Sequence, residues 1–204
     1  MRIETTETKI GKFNEWPKDV QSKILDNLRH INVDMPFWNE CTLDMLKQDL
    51  ELMGFWEPDI SYSGFWSQGD GASFTSSGFD LSQYVKTQAD KSNLAPMWHD
   101  ILPEPPRFPD VIDNHVKTTI YRCSYHYSHV NTCHLSMEYY DDGFPHVRQW
   151  IGEWQDTMEE FRRDICHKIY RLLEDEYEYM VSDKAIRETI DANEYEFDEN
   201  GDIS

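Results

Sequence analysis

The sequence predicts an α+β protein in which helices, including one long helix in the C-terminal half, pack on an antiparallel sheet of hairpins. Two amphipathic helical patterns open the chain, and two aromatic-rich segments with turn-forming residues near their midpoints follow. A long pattern with apolar residues at three- and four-residue steps occupies the last third. Separate runs of helices and strands are typical of α+β folds, whereas regular alternation would favour a parallel sheet.

The first two helices are predicted from their apolar faces and their end residues. Pro17 should open the first helix, which we expect to end near Asn32. Thr42 can cap a second helix, and Gly54 stands where a helix stop is expected. The apolar faces are Val20, Ile24, Leu25, Leu28 and Ile31 in the first helix, and Leu43, Leu46, Leu50 and Met53 in the second.

A β-hairpin is predicted next, with strands near 59–68 and 72–79. Gly69-Asp70-Gly71 interrupts the aromatic-rich run at its midpoint. Asp-Gly between two such segments favours a tight type I′ turn, because both residues tolerate the positive φ that this turn requires. The same glycines do not form a phosphate-binding loop, since they lack the spacing and the Lys of that motif and precede no helix.

A second hairpin is predicted at 116–128 and 132–140, turning near Val130-Asn131. Aligned without gaps, 60–79 and 120–139 place the two turns at the same position, which suggests two related hairpins. Any two aromatic hairpins of equal length would show a similar match. If the hairpins are neighbours in one sheet, residues around their turns could form a shared site.

The rest of the chain is predicted to be mostly helical. A helix is expected around Ser92–Leu102, followed by a proline-rich connector. The longest helix should run from about His146 to Met180, and its single apolar stripe suits either packing on the sheet or the coiled-coil seam of a homodimer. Ser182 should cap a shorter helix through Ala192, and Tyr195-Glu196-Phe197 could add an edge strand.

The composition indicates one folded, soluble, intracellular domain spanning residues 1–204. A 39% hydrophobic and 14% aromatic content excludes global disorder, since disordered chains lack groups that bury large areas. No apolar run is long enough to cross a membrane, and the N-terminus lacks the apolar core of a signal peptide. The four cysteines form no Cys-x-x-Cys pair, so we expect reduced, buried thiols in a cytoplasm.

The charge of the chain is strongly acidic and concentrated at the C-terminus. A net charge of −20 disfavours direct binding of nucleic acid and favours partners with a basic surface. The segment 174–204 contains twelve Asp and Glu against Lys184 and Arg187. This segment is either a solvated surface or an imitation of nucleic-acid phosphates that occupies a basic groove on another protein. Its candidate binding residues are Glu174, Asp175, Glu176 and Glu178.

The two hairpin turns supply a second set of candidate binding residues. Aromatic side chains there could stack on a base, and a few polar groups could bind its edges, as in a small-ligand pocket. The candidates are Trp66, Ser67, Gln68, Gly69, Asp70, Gly71, Tyr127 and His129. The net charge disfavours a polyphosphate ligand unless Arg107, Arg122 or Arg148 reaches the site.

The cysteines and histidines near the second turn suggest a zinc site, because zinc prefers thiolate and imidazole ligands. With a turn at Val130-Asn131, however, strand alternation places His129 and His134 on one face and Cys133 on the other. Nucleophilic catalysis would require Ser67, Ser73 or Cys133 beside a histidine that is oriented by a carboxylate. Candidates for this pair are Asp70 with His129 or His134. We predict no metal and no cofactor, and we favour a function without catalysis.

Residues Ile60 to Phe74 resemble the hallmark of a widespread family of small tailed-bacteriophage proteins, with the motif Ser-Gly-Phe-x-Ser-Gln-Gly-Asp-Gly-Ala-x-Phe. Further segments are similar to this family, so the resemblance covers most of the chain. They are Asp26 to Trp38, Tyr127-Ser128-His129, Tyr170 to Tyr177 and Ser182 through Phe197. Members of this family are sometimes labelled automatically as the antitoxin of a toxin–antitoxin system. The resemblance implies a non-structural phage protein made in the host bacterial cytoplasm.

Charge and resemblance together predict a counter-defence inhibitor. Small acidic phage proteins of this kind often bind and disable a host enzyme, so we expect binding to a nucleic-acid-handling or defence factor of the host. One alternative is a small-nucleotide sponge or enzyme that uses the two hairpin turns. The other alternative is an antitoxin that binds a basic toxin.

Overall fold

The computed structural model describes residues 8–123, 126–140 and 145–204 and has the predicted α+β fold. The helices are α1 (Lys18–Asn27), α2 (Glu40–Leu52), α3 (Leu81–Ala89), α4 (Pro109–His115), α5 (Pro145–Met180) and α6 (Asp183–Ala192). The strands are β1 (Gly11–Lys12), β2 (Phe55–Trp56), β3 (Asp59–Ser63), β4 (Gly71–Thr75), β5 (Gly78–Phe79), β6 (Val116–Arg122), β7 (Cys133–Tyr139) and β8 (Glu196–Phe197). None of the helices described is both long and apolar enough to cross a membrane.

The chain divides into two compact units, one of residues 1–39 and 175–204 and the other of residues 40–174. Each unit has its own apolar cluster, described separately below. The composition predicts a single domain, and this division into two compact units does not test that prediction.

In the first unit, β1 pairs with β8, and α1 and α6 contribute to one small core. The predicted cap of α6 is confirmed, because the Ser182 side chain accepts a hydrogen bond from the Ala185 N–H at 3.3 Å. The predicted edge strand is confirmed as β8. The buried residues of this core are Phe13, Val20, Ile24, Leu25, Ile186, Ile190 and Phe197.

α1 ends at Asn27, five residues before the predicted end. The residues after α1 form turns, and two of their side chains donate hydrogen bonds to main-chain carbonyls near the end of α5. Arg29 donates to the Val181 carbonyl at 3.1 Å, and Asn32 donates to the Met180 carbonyl at 2.9 Å. The last carbonyls of a helix have no partner within the helix, so these contacts satisfy acceptors that would otherwise be unpaired.

In the second unit, three antiparallel strand pairs and α5 share one core. β2 pairs with β5, β3 with β4, and β6 with β7, while an isolated bridge between Ser76 and Ile120 joins the two predicted hairpins. The long helix was predicted to within a residue at both ends. The apolar stripe of this helix is buried in the core. This agrees with the first of the two predicted alternatives, in which the helix packs on the sheet. The stripe includes Ile151, Trp154, Met158, Phe161, Ile165 and Ile169.

The first hairpin is present, but the prediction of a tight turn within it was wrong. The last strand pair is Ser63 with Gly71, so residues 64–70 form a longer connection. Within it, the Asp70 carboxylate accepts from the Ser67 N–H at 2.6 Å, and the Asp70 N–H donates to the Ser67 carbonyl at 3.1 Å. Asp70 therefore closes a loop of its own and does not occupy the centre of a two-residue turn.

The second hairpin also has a longer connection than predicted. Its strands end at Arg122 and begin again at Cys133, and residues 130–132 form a 3₁₀ turn. The His129 ring stabilises this turn, because its Nδ1 accepts from the Asn131 N–H at 3.2 Å. Part of the predicted first strand, residues 124 and 125, lies outside the described residues.

Two helix predictions were wrong, and two helices were missed. α2 begins at Glu40, so Thr42 lies inside it and does not cap it. The predicted stop at Gly54 is confirmed, because Gly54 follows the end of α2 with a φ of +96°. Residues 92–102 contain only a 3₁₀ turn at Pro96–Trp98. α3 and α4 were missed, although the Asp80 side chain caps α3 and Pro109 occupies the first position of α4.

Candidate ligand site at the two hairpin connections

The two hairpin connections lie against each other within the second unit. The Ser63 hydroxyl donates to the Ser128 carbonyl at 2.8 Å, and the Ser128 N–H donates to the Ser63 Oγ at 3.2 Å. The Ser128 hydroxyl also accepts from the Arg122 guanidinium. Gly71 faces His129 so closely that a Cβ on Gly71 would lie 2.8 Å from the His129 Cδ2. The two connections are therefore neighbours, which the shared site predicted from the sequence requires.

A cleft of about 400 Å³ lies where these connections meet α5. Its volume falls within the ~300–1,000 Å³ typical of small-molecule sites. The first hairpin contributes Asp70, Gly71 and Ala72, the second contributes His129 and Val130, and α5 contributes Cys166, His167, Tyr170 and Arg171. Three elements that are distant in sequence thus line one concave surface.

The polar groups of the cleft are mainly hydrogen-bond donors. The His129 Nδ1 accepts from the Asn131 N–H, so in the neutral ring Nε2 carries the proton and remains a donor. His167 and Arg171 add donors from α5, and Arg171 also pairs with Glu174 at 2.7 Å. The Asp70 carboxylate is already engaged by the Ser67 N–H. The cleft therefore suits an anionic or acceptor-rich ligand, despite the net negative charge of the chain.

Tyr170 connects the cleft to an aromatic group on the first connection. Phe65 contacts the rings of Tyr62, Trp66 and Tyr170 at centroid distances of 5.8, 5.9 and 5.7 Å. Burial raises the pKa of Tyr170, and the nearby carboxylates of Glu174 and Asp70 add to this, so its hydroxyl stays protonated at neutral pH. Trp66 is 64% exposed at the outer end of this group. Such a ring can stack on a flat ligand.

The candidate residues of the hairpin turns are only partly brought together. Asp70, Gly71 and His129 line the cleft. Tyr127 is exposed on the second connection and is not part of the cleft wall. The remaining candidates, all exposed on the first connection, are Trp66, Ser67, Gln68 and Gly69.

The acidic candidates differ in their surroundings. Glu174 belongs to the second unit and pairs with Arg171, with only 14% of its side chain exposed. Asp175 and Glu178 are exposed in the first unit, and Glu176 is half-buried there. Only part of the predicted acidic surface is therefore solvated.

The alternatives of metal binding and nucleophilic catalysis find little geometric support. Among the described residues, no group of three or more His, Cys, Asp or Glu is placed to hold a metal ion. Cys123 is exposed, whereas Cys133 is buried. A triad would need the His129 ring to be oriented by a carboxylate, but its Nδ1 contacts the Asn131 N–H. The expected burial of all four thiols was wrong, since Cys41 is exposed as well.

Sequence reasoning missed the contribution of α5 to the site. Met158, Arg162, Cys166 and Tyr170 follow one another at four-residue steps, so they share one face of the helix. The signal in the sequence was Arg162, a charged residue on the apolar stripe of the helix. A buried arginine requires buried hydrogen-bond partners, so its position indicates contacts with other elements. Its partners are described below.

Comparison with known families assigns most of the chain to one family. Residues 38–183 match DUF8835, a domain of unknown function. The chain belongs to the DUF8835 family. The matched range contains both hairpins and all of α5, and hence every residue that lines the cleft. No curated protein and no solved structure matches the chain.

Gly71→Ala tests whether the close approach of the connections stabilises the fold. Because the new Cβ would lie 2.8 Å from the His129 Cδ2 and 3.1 Å from its Cα, the two connections must separate. We expect the free energy of unfolding, measured with urea, to fall by about 1–3 kcal/mol. Gly152→Ala is the matched control, since nothing lies within 4 Å of its Cβ on α5. It should be neutral or stabilise by up to about 1 kcal/mol. Equal stability of Gly71→Ala and the unmodified protein would contradict the close contact.

Proposed function

We propose that the cleft binds a small nucleotide with few phosphate charges and sequesters it without converting it. The observation that carries this proposal is the convergence of His129, His167 and Arg171 in one cleft of about 400 Å³. Imidazole and guanidinium N–H groups suit phosphate and base acceptors. The exposed ring of Trp66 is available nearby for a base to stack on.

The limit on phosphate number follows from charge. The chain has a net charge of −20, and Arg171 is already paired with Glu174. A triphosphate would therefore meet long-range repulsion that the few donors of the cleft do not offset. Sequestration is favoured over turnover because the His129 ring is held by a main-chain N–H and has no carboxylate to orient it as a base.

Thermal unfolding in the presence of a nucleotide panel tests the proposal. Ligands that bind the native state raise the Tm, by an amount that grows with concentration above Kd. We expect mononucleotides, cyclic mononucleotides or cyclic dinucleotides to raise the Tm more than triphosphates do. Bound nucleotide released by heat should be recovered unchanged by chromatography. A panel with no Tm shift, or recovery of a converted product, would contradict the proposal.

Two substitutions test whether the nucleotide binds in the cleft. His129→Asn keeps a side-chain acceptor for the Asn131 N–H and removes the Nε2 donor. Arg171→Gln removes the guanidinium, and Arg163→Gln is its control on the exposed side of the same helix. We expect about a tenfold or greater loss of affinity for each cleft variant, because hydrogen bonds to charged groups contribute about 1.5–3 kcal/mol. Arg163→Gln should bind as the unmodified protein does.

A second candidate function rests on the exposed acids of the first unit. Asp175 and Glu178 are solvated, and the segment 174–204 has twelve acidic residues against two basic ones. These charges suit a host protein with a basic surface, either a nucleic-acid-handling or defence factor or a basic toxin. A pull-down from bacterial lysate should then recover a stoichiometric partner that dissociates as salt rises. Asp175→Asn with Glu178→Gln should weaken the capture, and failure to recover any partner would count against this function.

The biological setting is also a proposal. The motif at Ile60 to Phe74 supports a phage protein that acts in the host cytoplasm. Within that setting, sequestration of a signalling nucleotide and inhibition of a host factor would both counter a bacterial defence.

A further inference from the structure

Two buried thiols face each other behind the cleft. The Sγ atoms of Cys133, at the start of β7, and Cys166, on α5, are 3.9 Å apart. Both side chains are at most 1% exposed. A disulfide requires about 2.05 Å between the sulfurs, so the pair is less than 2 Å from bonding distance. The other two thiols, Cys41 and Cys123, are exposed.

A fully buried arginine lies against this thiol pair. The Arg162 Nη1 donates to the Cys133 Sγ at 3.0 Å and to the Val130 carbonyl at 2.8 Å, and it lies 3.9 Å from the Cys166 Sγ. Its Nε and Nη2 donate to the two carboxylate oxygens of Glu159 at 2.9 and 2.5 Å. A guanidinium directed at sulfur favours the thiolate over the neutral thiol.

The electrostatics of the pair are asymmetric. The hydrogen bond from Cys166 and the charge of Arg162 lower the pKa of Cys133, against the opposing effect of burial. The pKa of Cys166 is raised by its contact with Cys133 and by burial. Cys133 also faces two uncharged main-chain groups, the Phe74 N–H and the Val130 carbonyl. One thiolate beside one retained thiol is the arrangement that thiol–disulfide chemistry requires.

Cys166 places the thiol pair beside the cleft. It forms part of the cleft wall together with Gly71, Val130 and His167. Cys133 is not part of this wall and is fully buried.

We propose that Cys133 and Cys166 form a redox-reactive dithiol that reduces a peroxide and closes to a disulfide. The Cys133 thiolate attacks a peroxide oxygen, so that an S–O bond forms and the O–O bond breaks. The departing hydroxide takes up a proton from solvent, equal to the one that Cys133 released on ionising, and leaves as water. The Cys166 thiol then attacks the sulfenic sulfur. The S–S bond forms, the S–O bond breaks, and the second water leaves with the thiol proton. The dithiol loses two electrons, and the peroxide gains them.

The test is limited oxidation of the whole protein with hydrogen peroxide. After catalase treatment, free thiols are blocked under denaturing conditions and peptides are analysed by mass spectrometry. We expect a Cys133–Cys166 linked peptide that dithiothreitol reverses, formed about tenfold faster at pH 7 than oxidation of Cys41 or Cys123, because the Arg162 guanidinium lies 3.0 Å from the Cys133 Sγ and favours its thiolate. The rate should reach its plateau below the pH at which ordinary thiols ionise. Recovery of Cys133 and Cys166 in reduced form, under conditions that oxidise Cys41 and Cys123, would overturn the proposal.

Single substitutions separate the roles of the two sulfurs. In Cys166→Ser, a dimedone adduct should form on Cys133, since the sulfenic acid has no thiol to react with. In Cys133→Ser, Cys166 should stay reduced, because the Arg162 Nη1 lies 3.9 Å from its Sγ and burial still raises its pKa. Equal labelling of the remaining cysteine in both variants would contradict the assigned order. Serine preserves the volume closely, and circular dichroism verifies that each variant is folded.

Discussion

Replacing Arg162 with alanine should lower the free energy of unfolding by about 2–5 kcal/mol, the range expected when a large buried side chain is truncated and a buried acceptor loses its donor. Arg162 is 1% exposed and makes hydrogen bonds to Glu159, Val130 and Cys133. Alanine would leave the Val130 carbonyl without this donor and create a cavity in the core. Urea unfolding followed by tryptophan fluorescence measures the loss.

Two companion variants separate the causes. Arg162→Met fills most of the volume without the charge, so it should recover the cavity contribution and still destabilise by about 1–3 kcal/mol, because the buried carbonyl loses its donor. Arg163→Ala, at the exposed neighbouring position, should change stability by no more than about 0.5 kcal/mol. If Arg162→Ala matched Arg163→Ala, the buried network would have no stabilising role.

Trp98→Phe should lower the free energy of unfolding by about 3 kcal/mol. The Trp98 side chain is fully buried, and its Nε1 donates to the Asp49 Oδ2 at 2.8 Å, also inside the second unit. Phenylalanine removes this donor and part of the ring, which leaves a buried carboxylate without its partner at a cost of about 1–3 kcal/mol, in addition to lost packing. Urea or thermal unfolding measures the change.

A double-mutant cycle with Asp49→Ala tests the origin of this effect. If the hydrogen bond is responsible, Trp98→Phe should cost clearly less in the Asp49→Ala background, because no carboxylate then remains unpaired. Trp66→Phe is the matched control on an exposed tryptophan and should have an effect near zero. Strictly additive effects of the two core substitutions would rule out the hydrogen bond as the cause.

The cleft and the dithiol both include residues of α5, but the proposals about them can be tested separately. His129 and Arg171 carry the proposed ligand binding, whereas Cys133 carries the proposed reaction with peroxide. A protein that binds no nucleotide could still form the disulfide, and the reverse also holds. The two sets of variants therefore test independent properties of the same unit.

Local patterns were sufficient for the elements whose ends depend on their own side chains. α5 has a continuous apolar stripe, and Ser182 caps α6 with its own hydroxyl, so both were predicted closely. The tight turn at Asp70-Gly71 failed because a competing local contact, from the Ser67 N–H to the Asp70 carboxylate, closes a larger loop. α3 and α4 are short, with nine and seven residues, and α4 directly follows the proline-rich connector, so neither offered a long apolar pattern.

The sequence by itself determined the α+β class, the long helix, the acidic character and the two hairpins with their candidate residues Asp70, Gly71 and His129. Only the tertiary structure decided that these three residues meet α5, and that Arg162 is buried between Glu159 and Cys133. The physical reason is that composition and periodicity report which face of an element is buried. They do not report which distant element covers that face, and both the cleft and the dithiol are built from such long-range contacts.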